Sequence, residues 1–131
     1  MGTIVNKYLL IAGNRSAVRK HQWYVDSGCS RHMTGSKDSL INYRSCEGPR
    51  VNFSGDGKGN VVGKGDLVIG NIKISDISHV DGLHYSLLSV SQFSDKGCLV
   101  EFSDKGCKVI DTNTREVKIT DTRKSNIYVA D

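Results

Sequence analysis

The hydrophobic and polar positions along the chain follow short alternating or apolar runs, which are typical of β-strands. Glycine, asparagine, aspartate and serine separate the runs and favour turns. Gly63 and Gly65 lie between two such runs and indicate β-bulges or a barrel corner. We therefore predict an all-β fold, with strands or apolar runs at residues 3–11, 21–26, 51–53, 61–62, 67–69, 72–77, 83–88, 98–102, 107–111, 116–120 and 126–130.

One short helix is predicted near residues 89–96. Residues 89–92 read Ser-Val-Ser-Gln, a capping box in which the serine hydroxyl accepts from a first-turn amide and the glutamine reaches back. Val90 and Phe93 fall on one helical face, and Gly97 suits the position after the last turn. A single helical turn is also expected at residues 36–40.

The length of 131 residues fits one domain, and a hydrophobic content of 37% is enough for a small core. Residues 1–21 carry four basic side chains and no acid, so we separate an N-terminal strand or basic arm (residues 1–20) from a folded body (residues 21–131). Removing these four from the 18 basic residues leaves 14, which equals the 14 acidic ones. A neutral body argues against nucleic-acid binding by its folded surface.

The chain start lacks the charged and apolar regions of a signal peptide, and no run is long enough to span a membrane. We therefore expect an intracellular, cytoplasmic protein whose four cysteines are reduced and which contacts no membrane. Cys29 and His32 form half of a metal-binding pattern, but a zinc site needs more ligands. We expect no metal and no cofactor, with Cys29 as a small buried thiol and with Arg31 and His32 as surface or structural groups.

Asp26, Ser27 and Gly28 follow an apolar strand and open a turn. The tripeptide alone is most often an ordinary turn, but it also suits an aspartic protease. Such an enzyme needs two adjacent carboxylates that share a proton, a small hydroxyl side chain beside them and a glycine that lets the backbone come close. The turns around Asp56 and Asp81 lack the hydroxyl residue, so the second carboxylate would come from Asp26 of a second copy.

Residues 23–35 read WYVDSGCSRHMTG and resemble the protease signature of copia-type retrotransposon polyproteins. The resemblance continues through residues 55–59, 62–65, 77–83, 87–92 and 95–97, and spans roughly residues 23–110. It implies a closed, retropepsin-like β-barrel that forms a homodimer and cleaves a Gag-Pol-type polyprotein, in the cytoplasm or in virus-like particles.

The resemblance also implies roles for individual residues. Asp26 matches the catalytic carboxylate, Ser27 would support its hydrogen bonds and Gly28 would lie near the substrate backbone. A flap over the substrate would be formed by Gly55, Asp56, Gly57, Lys58 and Gly59. The loop under the active site would be formed by Leu87, Leu88 and Ser89, in which serine replaces the glycine of retropepsins.

Three functional hypotheses follow from the sequence. The first is an active homodimeric protease. The second is a non-catalytic β-barrel interaction module of the polyprotein, which a monomer with a covered dimer surface would favour. The third is a nucleic-acid-binding barrel that uses the basic arm, for which affinity would fall steeply with salt and depend on residues 1–21.

Overall fold

The computed structural model describes residues 23–53, 57–69, 72–124 and 127–130. The predicted strand at residues 3–11, the arm at residues 1–20, and Gly55 and Asp56 of the expected flap lie outside the described residues. The strands are β1 (Trp23–Asp26), β2 (Met33–Thr34), β3 (Ile41–Ser45), β4 (Arg50–Asn52), β5 (Lys58–Ile69), β6 (Ile72–Val80), β7 (Ser86–Ser89), β8 (Cys98–Ser103), β9 (Gly106–Asp111), β10 (Val117–Lys124) and β11 (Ile127–Ala130). A 3-10 turn covers Lys37–Ser39, and helix α1 covers Val90–Asp95.

The strands are joined in the order β3-β5-β6-β2-β7-β1-β11-β10-β9-β8, and β4 pairs with β5. The ladders β1–β7 and β2–β6 are parallel and the others are antiparallel. The all-β prediction is confirmed, but the closed barrel is not seen. Within the described ranges, no ladder joins β3 to β8, so these two strands remain edges of an open sheet. All five side chains of β3 are exposed or half-exposed, so this strand has no buried face to hold it against another edge.

The sheet encloses two main hydrophobic clusters, and β1 and β7 contribute to both. Tyr24 and Leu87 belong to the first cluster, whereas Trp23 and Leu88 belong to the second. Neighbouring residues of a strand point to opposite faces, so both strands are covered on both sides. This explains why apolar residues stand next to each other in both strands, and it makes Trp23, 7% exposed, a core residue.

The glycines at residues 63 and 65 lie in one continuous strand, β5, rather than between two strands. The register with β6 shifts between Val61 and Gly63 and again between Gly65 and Leu67, so the predicted bulges are confirmed. A Cβ atom at Gly63 would lie 2.0 Å from the hydroxyl oxygen of Tyr43. A side chain at this position would therefore displace that tyrosine.

Helix α1 is confirmed between the predicted ends. The Ser89 hydroxyl accepts from the backbone N–H of Gln92, and Gly97 follows the helix with a φ of +80°. Phe93 is buried in the second cluster. No helix among the described residues is long and apolar enough to cross a membrane.

Candidate active site

Strand β1 carries Asp26 to the centre of the sheet and places it beside the end of β7. The parallel ladder aligns Tyr24 with Leu87, Val25 with Leu88, and Asp26 with Ser89. Leu87, Leu88 and Ser89, predicted as a loop under the active site, are instead part of strand β7 and lie beside β1 in the same sheet, because the parallel ladder pairs the two strands. Asp26 and Ser89 are therefore direct neighbours, although 63 positions separate them in the sequence.

The Asp26 side chain is almost completely enclosed, with 1% of the residue exposed. Its Oδ1 atom accepts a hydrogen bond of 2.8 Å from the backbone N–H of Gly28. Burial raises the pKa of the carboxyl group from 3.8 to about 6, and the hydrogen bond from Gly28 opposes this rise. A carboxyl group with this pKa can hold or release a proton in mildly acidic solution, as a general acid or base must.

Cys29 is a buried free thiol, as predicted. Its Sγ atom donates to the backbone oxygen of Asp26 at 3.6 Å. Burial, together with the nearby charge of Asp26, raises the pKa of this thiol, which therefore stays protonated and is a poor nucleophile. Among the described residues, no group of three or more His, Cys, Asp or Glu side chains lies close enough together to hold a metal ion.

Of the two positions expected for His32, surface or structural, the structure shows the second, because the residue is only 3% exposed. Its Nδ1 atom accepts from the backbone N–H of Ser89 at 2.9 Å, and its ring lies 4.8 Å from the ring of Phe93. Burial lowers the pKa of His32 to about 4, so the imidazole is neutral above that pH. The residue is a structural group that connects the turn after Asp26 to helix α1.

The capping box forms only in part. The Ser89 hydroxyl accepts from the Gln92 N–H at 3.3 Å, as predicted, and donates to the backbone oxygen of Cys29 at 2.8 Å. Gln92 does not bond back to Ser89: its Oε1 atom accepts from the backbone N–H of His32, while the Ser89 N–H bonds the His32 ring. The hydrogen bonds of Ser89 and Gln92 to Cys29 and His32 therefore connect the start of the helix to the loop that follows Asp26.

Removal of the Ser89 hydroxyl tests this connection. Ser89→Ala is expected to lower the free energy of unfolding by about 1.5 kcal/mol, because the helix loses its cap and the buried Cys29 carbonyl loses a donor. Urea denaturation measures the change. Ser94→Ala is the matched control, since Ser94 is exposed on the same helix. A loss for Ser89→Ala no greater than that for Ser94→Ala would contradict this role.

Gly57, Lys58 and Gly59 of the expected flap lie on the β4–β5 hairpin. The Phe53 N–H donates to the Gly57 oxygen at 2.9 Å. A Cβ atom would lie 2.2 Å from the Phe53 ring at Gly57, and 2.1 Å from the backbone oxygen of Asp81 at Gly59. Close packing thus requires glycine at residue 59, where the neighbour is a backbone atom, and favours it at residue 57, where the Phe53 ring would have to move.

The base of the hairpin shares the first hydrophobic cluster with the turn after Asp26. Val51 of β4 and Val61 of β5 are members of that cluster together with Cys29. The hairpin and the candidate catalytic loop are therefore attached to the same part of the core.

A search against protein-family models matches residues 23–98 to the family described as Pol polyprotein, beta-barrel domain. The chain is also 28% identical over 82 residues to a Ty5-1 transposon protein of Saccharomyces cerevisiae. That match covers 62% of this chain and 56% of the yeast protein, so the chain spans about half the length of the curated relative. No solved structure is significantly similar. The chain thus belongs to the Pol polyprotein β-barrel family and is a domain of a retrotransposon Pol polyprotein.

Proposed function

We propose that this domain is the aspartic endopeptidase of a copia-type retrotransposon polyprotein and that it works as a homodimer. The observation that carries the proposal is the state of Asp26. Its carboxyl group is buried, is oriented by the Gly28 N–H at 2.8 Å and has a pKa raised to about 6. An ordinary turn aspartate is exposed to solvent and has no such environment.

In the proposed reaction, the two Asp26 carboxyl groups of a dimer share one proton. The ionised group takes a proton from a water molecule, and the water oxygen attacks the carbonyl carbon of the substrate peptide. The protonated group gives its proton to the carbonyl oxygen, so a gem-diol forms. Cleavage of the C–N bond, with a proton passing to the leaving nitrogen, then yields a carboxylic acid and an amine.

The other site residues support this reaction in defined ways. Gly28 orients the carboxylate and leaves room for the substrate backbone, while Ser27 supports the hydrogen bonds of the paired carboxyls. The β4–β5 hairpin, which carries Gly57, Lys58 and Gly59, closes over the peptide and excludes water. The pairing of Leu87 to Ser89 with β1 holds Asp26 in place from the neighbouring strand.

The test is cleavage in trans of the transposon's own polyprotein, made inactive by Asp26→Asn in its protease segment. Added wild-type domain is expected to cleave it at pH 5 to 6, whereas added Asp26→Asn domain is expected to be at least ~10³-fold slower, because neither group of the dyad can then ionise. Asp104→Asn, an exposed carboxylate in the β8–β9 turn, should retain activity. Equal cleavage by wild type and Asp26→Asn would contradict the proposal.

A non-catalytic interaction module is the second candidate, and one observation favours it. Asp26 is 1% exposed in the single chain, and β11 of the same chain pairs with β1 at Tyr24 and Val129. A peptide reaches the carboxyl group only after this enclosure opens. A domain that remains monomeric at all concentrations and cleaves nothing would support the second candidate over the first.

A further inference from the structure

A cleft of about 410 Å³ lies between β6 and the β8–β10 sheet, next to helix α1. Four buried apolar side chains line it, those of Ile74, Phe93, Val109 and Ile119. Among the described residues that line it, none belongs to the turn at residues 26–28 or to the β4–β5 hairpin. The cleft is therefore separate from the candidate active site, and its volume is in the range of cavities that bind small molecules.

The buried side chain of His32 borders this apolar cleft and carries a hydrogen-bond donor that has no acceptor. Its Nδ1 atom lies 2.9 Å from the backbone nitrogen of Ser89, whose N–H can only donate. Burial lowers the pKa of His32 to about 4, so at neutral pH the ring has a single proton, which must be on Nε2. Within the described part of the chain, Nε2 forms no hydrogen bond.

The Nε2 atom of His32 is not sealed off by protein. In the described ranges, a single fully enclosed side-chain nitrogen or oxygen lacks a hydrogen-bond partner, and that atom is Nε of Arg31. The unpaired Nε2 atom of His32 is therefore accessible, although the residue as a whole is only 3% exposed. Since His32 lines the cleft, we assign this accessible N–H to the cleft wall.

Gln92 adds further donors beside His32. Its side chain also lines the cleft, and its Oε1 atom accepts from the backbone N–H of His32. Because that N–H can only donate, the atom of Gln92 that faces it must be the oxygen, and the amide NH₂ group is left for another partner. Among the described residues, this NH₂ group has none. Two adjacent side chains thus offer unused donors next to an apolar surface.

The charged groups around the cleft balance one another. Three ion pairs border it, Lys64–Asp76 at 3.1 Å, Lys73–Asp66 at 4.0 Å and Lys118–Glu116 at 2.9 Å. Lys96 at the rim and Asp111 near Lys118 add one charge of each sign. The cleft therefore has no excess charge that would select an anion or a cation, and its selectivity depends on its apolar walls and unused donors.

We propose that the cleft binds a small uncharged molecule that combines an apolar ring with a carbonyl oxygen. The ring would lie against the apolar walls, and the two lone pairs of the oxygen would accept from His32 Nε2–H and from the Gln92 amide. A hydrocarbon would leave these donors without a partner, and an ion would lose its hydration without gaining a counter-charge. The proposal does not rest on the protease function.

The test is an NMR titration of the ¹⁵N-labelled whole chain with acetophenone at pH 7. Ethylbenzene, which lacks the oxygen, and benzoate, which is charged, are the matched ligands. We expect acetophenone to shift the Gln92 side-chain NH₂ and His32 Nε2 resonances. It should bind at least about fivefold more tightly than either matched ligand, the effect of about one additional hydrogen bond.

A substitution at Gln92 tests the donor without removing the contact that holds the loop. Gln92→Glu keeps an oxygen to accept from the His32 N–H but replaces the NH₂ donor with a second oxygen. It should weaken acetophenone binding at least about fivefold. Ser94→Glu, which adds the same charge at an exposed position of the same helix, should leave the binding unchanged.

Four results would overturn the proposal. Equal binding of acetophenone and ethylbenzene would show an unselective apolar cavity, and tighter binding of benzoate would show an anion site. Shifts at Gly28 or residues 57–59 instead of His32 and Gln92 would place the ligand at the candidate active site. The absence of saturable binding would show that only water uses the donors. Asp26→Asn should bind acetophenone as the wild type does, so failure of the protease proposal leaves this test unaffected.

Discussion

At pH 7.5, Asp26→Asn is expected to have a free energy of unfolding about 3 kcal/mol greater than that of the wild type. The wild-type protein must keep a buried carboxylate ionised at this pH, and burial raises the pKa of Asp26 from 3.8 to about 6. Asparagine has no charge to desolvate and retains an Oδ1 atom that accepts from the Gly28 N–H. A gain in stability at the expense of function is characteristic of active-site residues.

The sign of the pH dependence follows from proton binding. Between about pH 4 and pH 6 the folded protein holds the Asp26 proton and the unfolded chain releases it, because the pKa of Asp26 is higher in the folded state. The stability contributed by protonated Asp26 is fully present below pH 3.8 and is lost as the pH rises through 6. The advantage of Asp26→Asn should therefore be large at pH 7.5 and small at pH 4.

Urea denaturation of both proteins at pH 7.5 and pH 4 measures this difference. Asp104→Asn is the control, since it removes an exposed carboxylate and should change the free energy of unfolding by less than about 0.5 kcal/mol. If Asp26→Asn were no more stable than the wild type at pH 7.5, Asp26 would not be the desolvated group described above.

His32→Leu is expected to lower the free energy of unfolding at pH 7.5 by about 3 kcal/mol. The buried N–H of Ser89 would lose its acceptor, and the ring contact with Phe93 would be replaced by a differently shaped side chain. His84→Leu is the matched control at an exposed position and should have a small effect. Similar losses for the two variants in urea denaturation would contradict the structural role of His32.

The two buried groups have opposite pH dependences over nearly the same range. The pKa of His32 is lowered from 6.5 to about 4, so its contribution to stability is present above pH 6.5 and is lost as the pH falls through 4. Asp26 contributes in the reverse sense. Their effects should largely cancel in the wild type between pH 4 and 6.5.

Each substitution removes one of the two groups, so the pH dependence of stability that the other group causes should become measurable. Asp26→Asn should lose stability as the pH falls from 6.5 to 4, whereas His32→Leu should gain stability over the same interval. A series of denaturation curves at half-unit intervals of pH measures both slopes. Slopes of the same sign in the two variants would show that the assignment of one pKa is wrong.

The elements that the sequence predicts best are those with a strong local pattern. Strands β6, β8 and β9 have regular apolar positions, and α1 has a serine cap and a terminal Gly97. Strands β2 and β3 were not predicted. Strand β2 has two residues and exists only because it pairs with β6 and β7, while the exposed side chains of β3 show no alternation. The open edges of the sheet likewise depend on long-range pairing that no local pattern records.

In the candidate site, too, the sequence predicts what depends on neighbouring residues and misses what depends on contacts between distant ones. The strand-turn pattern of Asp26, Ser27 and Gly28 is local, so the sequence, with the resemblance of the residues around it, is enough to name it as a candidate site. The role of His32 depends on a hydrogen bond to Ser89, 57 residues away. The capping box predicted a bond from Gln92 back to Ser89, but each instead bonds His32. The sequence signal for the structural role of His32 was its position within residues 23–35, the stretch that resembles the copia-type protease signature.

The most direct test of the central claim, that two copies of Asp26 share a proton, is an NMR titration of the Asp26 carboxyl carbon. It should be recorded at a concentration at which the protein is monomeric and at one at which it is dimeric. We predict one titration near pH 6 at low concentration and two apparent pKa values at high concentration, one below and one above that value, because paired carboxyls lose their protons in separate steps. A single titration near pH 6 at every concentration would contradict the shared dyad.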